Sequence, residues 1–206
     1  MTFNQRMNRA IAYFTVEEHS APFELLSGKG KVFLSAPHAT AQTRNGAVKS
    51  AERYTGALCF MLHEQLNCPV IYKSRHLLDD ANHDPVSDYR DAVCDYIHKN
   101  DIACLLDLHQ LSPARPMALC ICTGKQRNLC GRTDMVGVIK QCFLDHGISR
   151  ITVDDPFDGG SPHTVSSTVA VRRGIPAVQL ELNTRLLMSG YEETCFQRCW
   201  PHWMLW

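Results

Sequence analysis

His38, His109 and Glu181 each follow closely after a short apolar segment of the sequence. One polar residue in such a place would mean little, but three residues of these types form a pattern that a purely structural role does not require. Imidazole nitrogen and carboxylate oxygen are ligands of Zn²⁺, and a catalytic zinc site keeps one position open for water. The pattern therefore predicts hydrolysis by a metal-activated water with a carboxylate nearby as its base.

The residue types suggest a role for each candidate. Two histidines and one glutamate form a catalytic ligand set for zinc, and His38 and His109 are the two histidine candidates. Glu52 is the candidate for the third ligand because it lies early in the helix predicted after His38; the alternative is a solvated helix residue. Glu181 is left as the general base. Asp107 lies on the same strand face as His109, either as a partner for its second N–H or as a support for the sheet edge.

Another group of residues is predicted to line the substrate pocket. The Gly159-Gly160 pair allows a close backbone approach and offers N–H groups to an oxyanion. His163 either caps a helix or lines the site. Asn82 either forms a turn with Asp84 before a proline or contacts the substrate.

The elements that must position these residues alternate between strand and helix. Nearly continuous apolar strands separated by helices indicate an α/β fold in which a sheet is covered on both faces. In such sheets the catalytic groups gather at the carboxyl ends of the strands. We expect a single domain over residues 1–206. The predicted strands are 32–35, 70–72, 103–108, 117–122 and 177–182, and the predicted helices are 45–66, 87–100, 133–146, 164–173 and about 191–203.

Composition excludes several classes of partner. Lys plus Arg and Asp plus Glu both number 21, and no basic stripe runs along the chain, so we expect no nucleic-acid partner. No apolar run approaches the roughly 18 residues that span a bilayer, and the polar N-terminus lacks the core of a signal peptide, which predicts a cytoplasmic protein without a membrane partner.

The ten cysteines contain no Cys-x-x-Cys pair and are expected to be mostly reduced and buried, although a thiol-dependent enzyme is a weaker alternative. The aromatic segment 200–206 covers the core or joins two copies in a homo-oligomer.

Five short motifs resemble those of the N-formylglutamate amidohydrolases, within the zinc carboxypeptidase-like superfamily, and they occur in the family's order. The resemblance implies a three-layer α/β/α fold with a mixed, mostly parallel sheet, as in zinc exopeptidases. It also implies hydrolysis of an N-acyl or peptide-like amide, often next to a free carboxylate, with His38, Glu52 and His109 as zinc ligands and Glu181 as the base. The motifs are Ser35-Ala36-Pro37-His38-Ala39, Asn82-His83-Asp84-Pro85, Asp107-Leu108-His109, Phe157-Asp158-Gly159-Gly160 and Gln179-Leu180-Glu181-Leu182-Asn183.

The chain departs from this family at His83, where the family has an arginine that helps to hold a substrate carboxylate. Histidine cannot copy the bidentate fork of a guanidinium. Arg90, Arg172, Arg173 or Arg185 would have to take over, or the substrate lacks that carboxylate. Of these, Arg90 and Arg185 are predicted to be substrate-binding. The family's glycine after the first histidine is also absent.

The sequence thus predicts a zinc-dependent enzyme that hydrolyses a small amide, either an N-acyl amino acid or a short peptide. The ion is expected to be Zn²⁺, although affinity order and cellular supply leave another divalent ion open. The alternative is a binding protein on the same scaffold that holds a small ligand without cleaving it.

Overall fold

One large β-sheet with helices on both faces forms the described part of the chain, which is residues 1–15 and 19–189 of a computed structural model. The strands are β1 (Phe23–Leu26), β2 (Val32–Ala36), β3 (Gln42–Arg44), β4 (Ala47–Lys49), β5 (Val70–Lys73), β6 (Cys104–Leu111), β7 (Leu119–Cys122), β8 (Ile151–Val153) and β9 (Ala177–Asn183). The helices are α1 (Phe3–Tyr13), α2 (Arg53–Leu66), α3 (Asp88–Lys99), α4 (Asp134–Asp145), α5 (Val165–Arg173) and α6 (Thr184–Ser189), with a 3₁₀ turn at Arg127–Leu129.

The sheet is mixed and mostly parallel, as predicted. Its seven strands are ordered β1-β5-β2-β6-β9-β7-β8. The four inner strands β5, β2, β6 and β9 run parallel, whereas β1 is antiparallel to β5 and β7 is antiparallel to β9. Strands β3 and β4 form a separate two-stranded hairpin. Because the inner strands are parallel, their carboxyl ends meet at one edge of the sheet, as the fold class requires.

The two faces of the sheet bury two different apolar clusters. Val32 and Leu34 of β2 belong to the larger cluster, which includes side chains of α1, α2 and α4, while Phe33 belongs to the smaller one with α3 and α5. Successive side chains of a strand point to opposite faces, so a strand covered on both sides is apolar throughout. On the face of the smaller cluster the residues near the carboxyl ends of β6 and β9 become polar, beginning at Asp107 and Gln179. The functional candidates therefore lie on this face.

The helix predicted from 45 to 66 is wrong in its first part. Asn45 and Gly46 have positive φ values of 53° and 78° and form the turn between β3 and β4. An Asn-Gly pair is the preferred two-residue loop of a hairpin because both positions require positive φ, and this local signal outweighs the apolar spacing further along. The helix begins only at Arg53, so Glu52 stands at its N-cap rather than inside it.

The other strands and helices predicted within the described residues are present within a few residues of their expected bounds, but α1, β1, β3, β4, β8 and α6 were not foreseen. The helix predicted at about 191–203 lies outside the described residues, as does the aromatic segment 200–206. None of the described helices is long and apolar enough to cross a membrane. Of the eight cysteines among the described residues, seven are free and six of these are buried, as expected for most of them, whereas Cys142 is disulfide-bonded.

Candidate metal centre

Three segments from different elements bring His38, Glu52 and His109 together. His38 follows β2, His109 lies in β6, and β2 and β6 are parallel neighbours in the sheet. Glu52 reaches the same place because its backbone N–H donates to the His38 carbonyl at 2.8 Å, just before α2 begins. One ligand atom from each of the three residues lies within 4.8 Å of the other two.

The Glu52 carboxylate stands between the two imidazole rings. Its Oε1 lies 3.1 Å from His38 Nδ1, and its Oε2 lies 3.5 Å from His109 Nδ1. The backbone N–H of Gln110 donates to Oε2 at 2.9 Å and fixes the carboxylate against β6. The two rings are nearly perpendicular, at 80°, with centroids 4.8 Å apart. Both Nδ1 atoms therefore face a common point beside one carboxylate.

Each imidazole has a second, buried carboxylate on its other nitrogen. Asp80 Oδ1 lies 2.9 Å from His38 Nε2, and Asp107 Oδ2 lies 3.1 Å from His109 Nε2. Arg44 donates to the second oxygen of Asp80 through Nε at 2.9 Å and Nη2 at 2.8 Å. Metal-bound histidines usually donate their second N–H to such a carboxylate, which fixes the ring and its tautomer. Asp107 was a candidate for this role, but Asp80 was missed.

The charges in this cluster stabilise one another. Burial opposes the charged imidazolium, but the Glu52 charge and the Asp80 hydrogen bond outweigh it and raise the pKa of His38. Burial also opposes charge on His109, and the Asp107 charge and hydrogen bond raise its pKa well above the usual value. Burial favours a neutral Glu52, but the charges and hydrogen bonds of both histidines lower its pKa to about 2. A cation bound between the rings would therefore compete with protons for the imidazole nitrogens.

The donor set fits a divalent metal ion. Two imidazole nitrogens and one carboxylate oxygen match a catalytic zinc site with three protein ligands and an open position. Both rings present Nδ1 to the common point and are held at Nε2 by carboxylates, which is the arrangement of ligands prepared for a metal. The cluster is buried except for the partly exposed Glu52.

Glu181 lies beside this cluster on the next strand. Strands β6 and β9 are parallel, and His109 is the Cα partner of Glu181. Gln179, on the same face of β9, donates its Nε2–H to Glu181 Oε1 at 2.8 Å. Burial raises the pKa of Glu181 and outweighs the opposing charge of His109. Glu181 is half-buried and is not one of the three ligand candidates, so its carboxylate stays available for proton transfer.

A cavity of about 590 Å³, called here the site cavity, opens over these groups. His38, Glu52, His109 and Glu181 line it, and so do three of the predicted substrate-binding residues, namely Asn82, Gly159 and Gly160.

Asn82 is tied into the framework of the site. Its Oδ1 accepts the Val165 N–H at 2.7 Å, at the start of α5, and its Nδ2 lies 3.4 Å from both His109 Nε2 and Gln179 Oε1. Asp84, its predicted turn partner, accepts the Asp80 N–H at 2.8 Å. Asn82 therefore joins the loop after β5 to β6, β9 and α5.

The Gly159-Gly160 pair forms a tightly packed wall of the cavity. Gly159 has a φ of 66°, and a Cβ atom there would lie 3.1 Å from Cys122 Cβ. The Gly159 carbonyl accepts hydrogen bonds from Thr164 Oγ1 at 2.9 Å and Ser167 Oγ at 3.1 Å. The Gly160 N–H already donates to Asp158 Oδ1 at 2.8 Å, so this amide is not free to face an oxyanion.

The other three predicted substrate-binding residues do not line the site cavity. Arg185 is exposed on α6. Arg90 is buried and lines a neighbouring cavity of about 610 Å³ together with His163. The Arg90 guanidinium is occupied by main-chain carbonyl groups, which gives it a structural role in holding the loop after β5 against α3. Its acceptors are the carbonyl oxygens of Ala81, Asp84, Pro85 and His163.

Sequence reasoning missed Asp80 and Arg115. Asp80 had one visible signal, since two adjacent aspartates precede the Asn82 motif. Arg115 lines the site cavity, with its guanidinium carbon 5.3 Å from the centroid of the Phe157 ring. It lies in the loop between β6 and β7, where no local pattern marks it.

Comparison with solved structures places the fold among known proteins. A gene product from Agrobacterium tumefaciens superposes with a TM-score of 0.63 and 13% identity, over 91% of this chain and 98% of that one. A bacteriophage poly-gamma-glutamate hydrolase superposes with a TM-score of 0.58 and 11% identity, over 91% and 92% of the two chains. No protein-family model and no curated protein matches the chain. At these identities the likeness shows a shared fold, and the resemblance to N-formylglutamate amidohydrolases stays a prediction.

Proposed function

We propose that the chain is a zinc-dependent amidohydrolase that cleaves a small amide, an N-acyl amino acid or a short peptide, in the manner of the N-formylglutamate amidohydrolases. The proposal rests on one observation: His38, Glu52 and His109 form a cluster of ligand atoms, and the separate carboxylate of Glu181 lines the same cavity. A structural role would not require both imidazoles to face one carboxylate with a buried aspartate behind each ring.

His38, Glu52 and His109 would hold the metal. A bound Zn²⁺ supplies a Lewis acid that polarises a carbonyl group and lowers the pKa of water. Asp80 and Asp107 keep the two rings in place, and Arg44 neutralises Asp80 on its outer side. Buried aspartates that are held in this way fix the Nε2–H tautomer, which leaves each Nδ1 free to bind a cation.

Glu181 acts as the general base. It takes a proton from the attacking water and passes it to the leaving nitrogen, as a carboxylate of raised pKa can do. Gln179 orients the carboxylate through its 2.8 Å hydrogen bond and leaves the second oxygen for the water. The fold neighbour named as a poly-gamma-glutamate hydrolase supports the reaction class, because it shows that this fold is used by a hydrolase.

Metal content of the purified protein tests the proposal directly. We expect about one zinc per chain in the wild type and little in His38→Ala and His109→Ala, with a surface change, His98→Ala, as the matched control. The zinc-loaded wild type should hydrolyse members of a panel of N-acyl amino acids and short peptides. Absence of metal after zinc is supplied would remove the proposal, and metal without turnover on the panel would favour the ligand-binding alternative.

A further inference from the structure

A separate cavity of about 710 Å³, called here the basic cavity, is bordered by the end of β4, the first residue of α2 and the loop after β5. Among the described residues its lining contains the cations Lys49, Arg53 and Arg75 but no aspartate or glutamate. All three cations are exposed, and none of them has an ion-pair partner in the described part of the chain. Because the chain as a whole is neutral, this local excess of positive charge favours an anionic partner.

Three large aliphatic side chains are exposed to water around the same cavity. Val48 of β4 lines it and is 67% exposed, while Leu77 and Leu78 of the loop after β5 are 48% and 75% exposed. The hairpin and this loop are joined, since Thr43, the cross-strand partner of Val48, donates its N–H to the Asp79 carbonyl at 3.0 Å. The cations and the aliphatic groups therefore share one surface. It is called here the docking surface and consists of Val48, Lys49, Arg53, Arg75, Leu77 and Leu78.

The loop holds its leucines outward in a conformation that the stability of the fold does not reward. Leu78 has a φ of 57°, in the left-handed region that is costly for a bulky side chain and is usually taken by glycine or asparagine. Asp79 fixes the loop, because its Oδ2 accepts a hydrogen bond from Lys73 Nζ at 2.6 Å and its Oδ1 accepts the Leu77 N–H at 3.3 Å. A partner that removes the leucines from water would supply the stabilisation that the free chain lacks.

An anionic lipid surface fits both components of the docking surface. An acidic polymer would pair with the cations but leave the leucines in water. A second copy in an isologous dimer would bring the same cations against one another. A bilayer surface offers anionic headgroups with apolar acyl chains just beneath them, so the cations and the aliphatic side chains find partners together.

We propose that the docking surface binds peripherally to membranes that contain anionic phospholipids, with the headgroups at the three cations and the leucines in the interface. Such docking uses no spanning helix, and it would revise the expectation of a chain without a membrane partner. Lys49 lines both the basic cavity and the site cavity, so docking places the site cavity beside the lipid surface. This inference stands apart from the proposed function, because vesicle binding is measured without turnover.

Co-sedimentation with vesicles tests the contribution of the charges. The chain would be mixed, in about 0.1 M salt, with vesicles of phosphatidylcholine alone or with about one third phosphatidylserine. We expect binding to the anionic vesicles only. The triple variant Lys49→Gln/Arg53→Gln/Arg75→Gln should lower the partition coefficient roughly 100-fold, since each cation near an anionic surface contributes about fivefold.

A matched variant separates the docking surface from net charge. Lys29→Gln/Lys140→Gln/Arg150→Gln removes the same charge from three exposed positions outside this surface and should bind like the wild type. Thermal melting checks that both triple variants are folded. If the first one melts early, its three single changes, each expected to weaken binding about fivefold, carry the same test.

A second pair of variants tests the aliphatic side chains. Leu77→Asn/Leu78→Asn keeps every charge, and asparagine tolerates the positive φ of position 78, so the fold should not be weakened. We expect binding to anionic vesicles to fall roughly 10-fold or more, because the leucines no longer leave water. Val86→Asn/Val171→Asn, which changes two exposed valines outside the docking surface, is the control and should bind like the wild type.

Several outcomes would overturn the inference. The first is a wild type that does not bind anionic vesicles. Equal weakening by the two triple variants would show attraction by net charge without a defined surface. Vesicle binding that is unaffected by the leucine changes would assign the basic cavity to an acidic polymer or a free phosphate. A dimer in light scattering that is lost in Leu77→Asn/Leu78→Asn would assign the surface to a second copy of the chain.

Discussion

Replacing Glu181 by glutamine should remove turnover while leaving the metal and the fold in place. The Glu181 side chain is separate from the three ligand candidates, so the change deletes the base but no ligand. Glutamine has the same shape, and its carbonyl oxygen can still accept the Gln179 N–H that now lies 2.8 Å from Oε1. We therefore expect one zinc per chain and a free energy of unfolding within about 1 kcal/mol of the wild type.

The size of the kinetic loss is estimated from the engagement of the other two carboxylates among the described residues that line the site cavity. Glu52 is held by both histidines, and the Asp158 carboxylate accepts the Gly160 N–H. A positioned general base contributes about 10²- to 10⁴-fold, equivalent to roughly 3–5 kcal/mol in the activation free energy. We expect kcat to fall by that factor.

The assay is steady-state kinetics on the best substrate of the panel, with zinc content measured on the same samples. Glu64→Gln, which changes an exposed glutamate of α2, is the matched control and should keep full activity. A Glu181→Gln enzyme with normal zinc and more than about one tenth of wild-type kcat would refute the assignment of the base. Loss of zinc together with activity would instead show that Glu181 belongs to the metal site.

Further predictions concern the ligands, the pH dependence and the packing behind the site. Asp107→Asn should weaken zinc binding about 10- to 100-fold, because His109 loses the carboxylate that accepts its Nε2–H. Competition with a chromogenic chelator measures the zinc affinity, and an unchanged affinity would show that the His109 ring does not need this carboxylate. Zinc uptake should release protons, and zinc affinity should rise with pH, because the pKa values of His38 and His109 are raised in the metal-free protein. For the same reason the histidine contribution to stability of the metal-free protein is present below the unfolded pKa of about 6.5 and is lost as the pH rises through the raised values. Calorimetry of zinc binding in buffers of different ionisation enthalpy counts the released protons. Zinc binding without proton release would contradict the raised pKa values of the two histidines. Gly56→Val should lower the free energy of unfolding by about 1–3 kcal/mol, since a Cβ atom there would stand 2.5 Å from Ala39 Cβ; thermal melting checks this, and an unchanged midpoint would mean that the contact relaxes freely.

The sequence was informative where local pattern and position in the fold coincide. His38, His109 and Glu181 were recognised because each follows an apolar strand, and parallel strands bring such positions to one edge of the sheet. The start of α2 at Arg53 was not predicted, because the apolar spacing that begins at Ala47 has a helical period although the Asn45-Gly46 turn comes directly before it.

Side-chain direction accounts for most of what the sequence could not predict. Arg90 and Arg115 are both arginines near predicted motifs, yet Arg90 turns to main-chain carbonyl groups and Arg115 turns to the cavity. That difference depends on packing between segments that are far apart in the chain, and the hydrophobic periodicity of the sequence carries no information about such packing. Asp80 is a similar case, because its role is defined by the contact with His38, 42 positions away.

The order of strands divides the candidate site between two parts of the chain. β1, β2, β5 and β6 form one side of the sheet and come from consecutive sequence, and β7, β8 and β9 form the other side and follow later. Within the described sheet, the two sides pair only between β6 and β9, and the three candidate ligands lie on the early side while Glu181 lies on the late side. A cut in the 112–118 loop would therefore place the three candidate ligands on one fragment and the proposed base on the other. If the two fragments reassemble through the pairing of β6 with β9, the return of hydrolysis would report it.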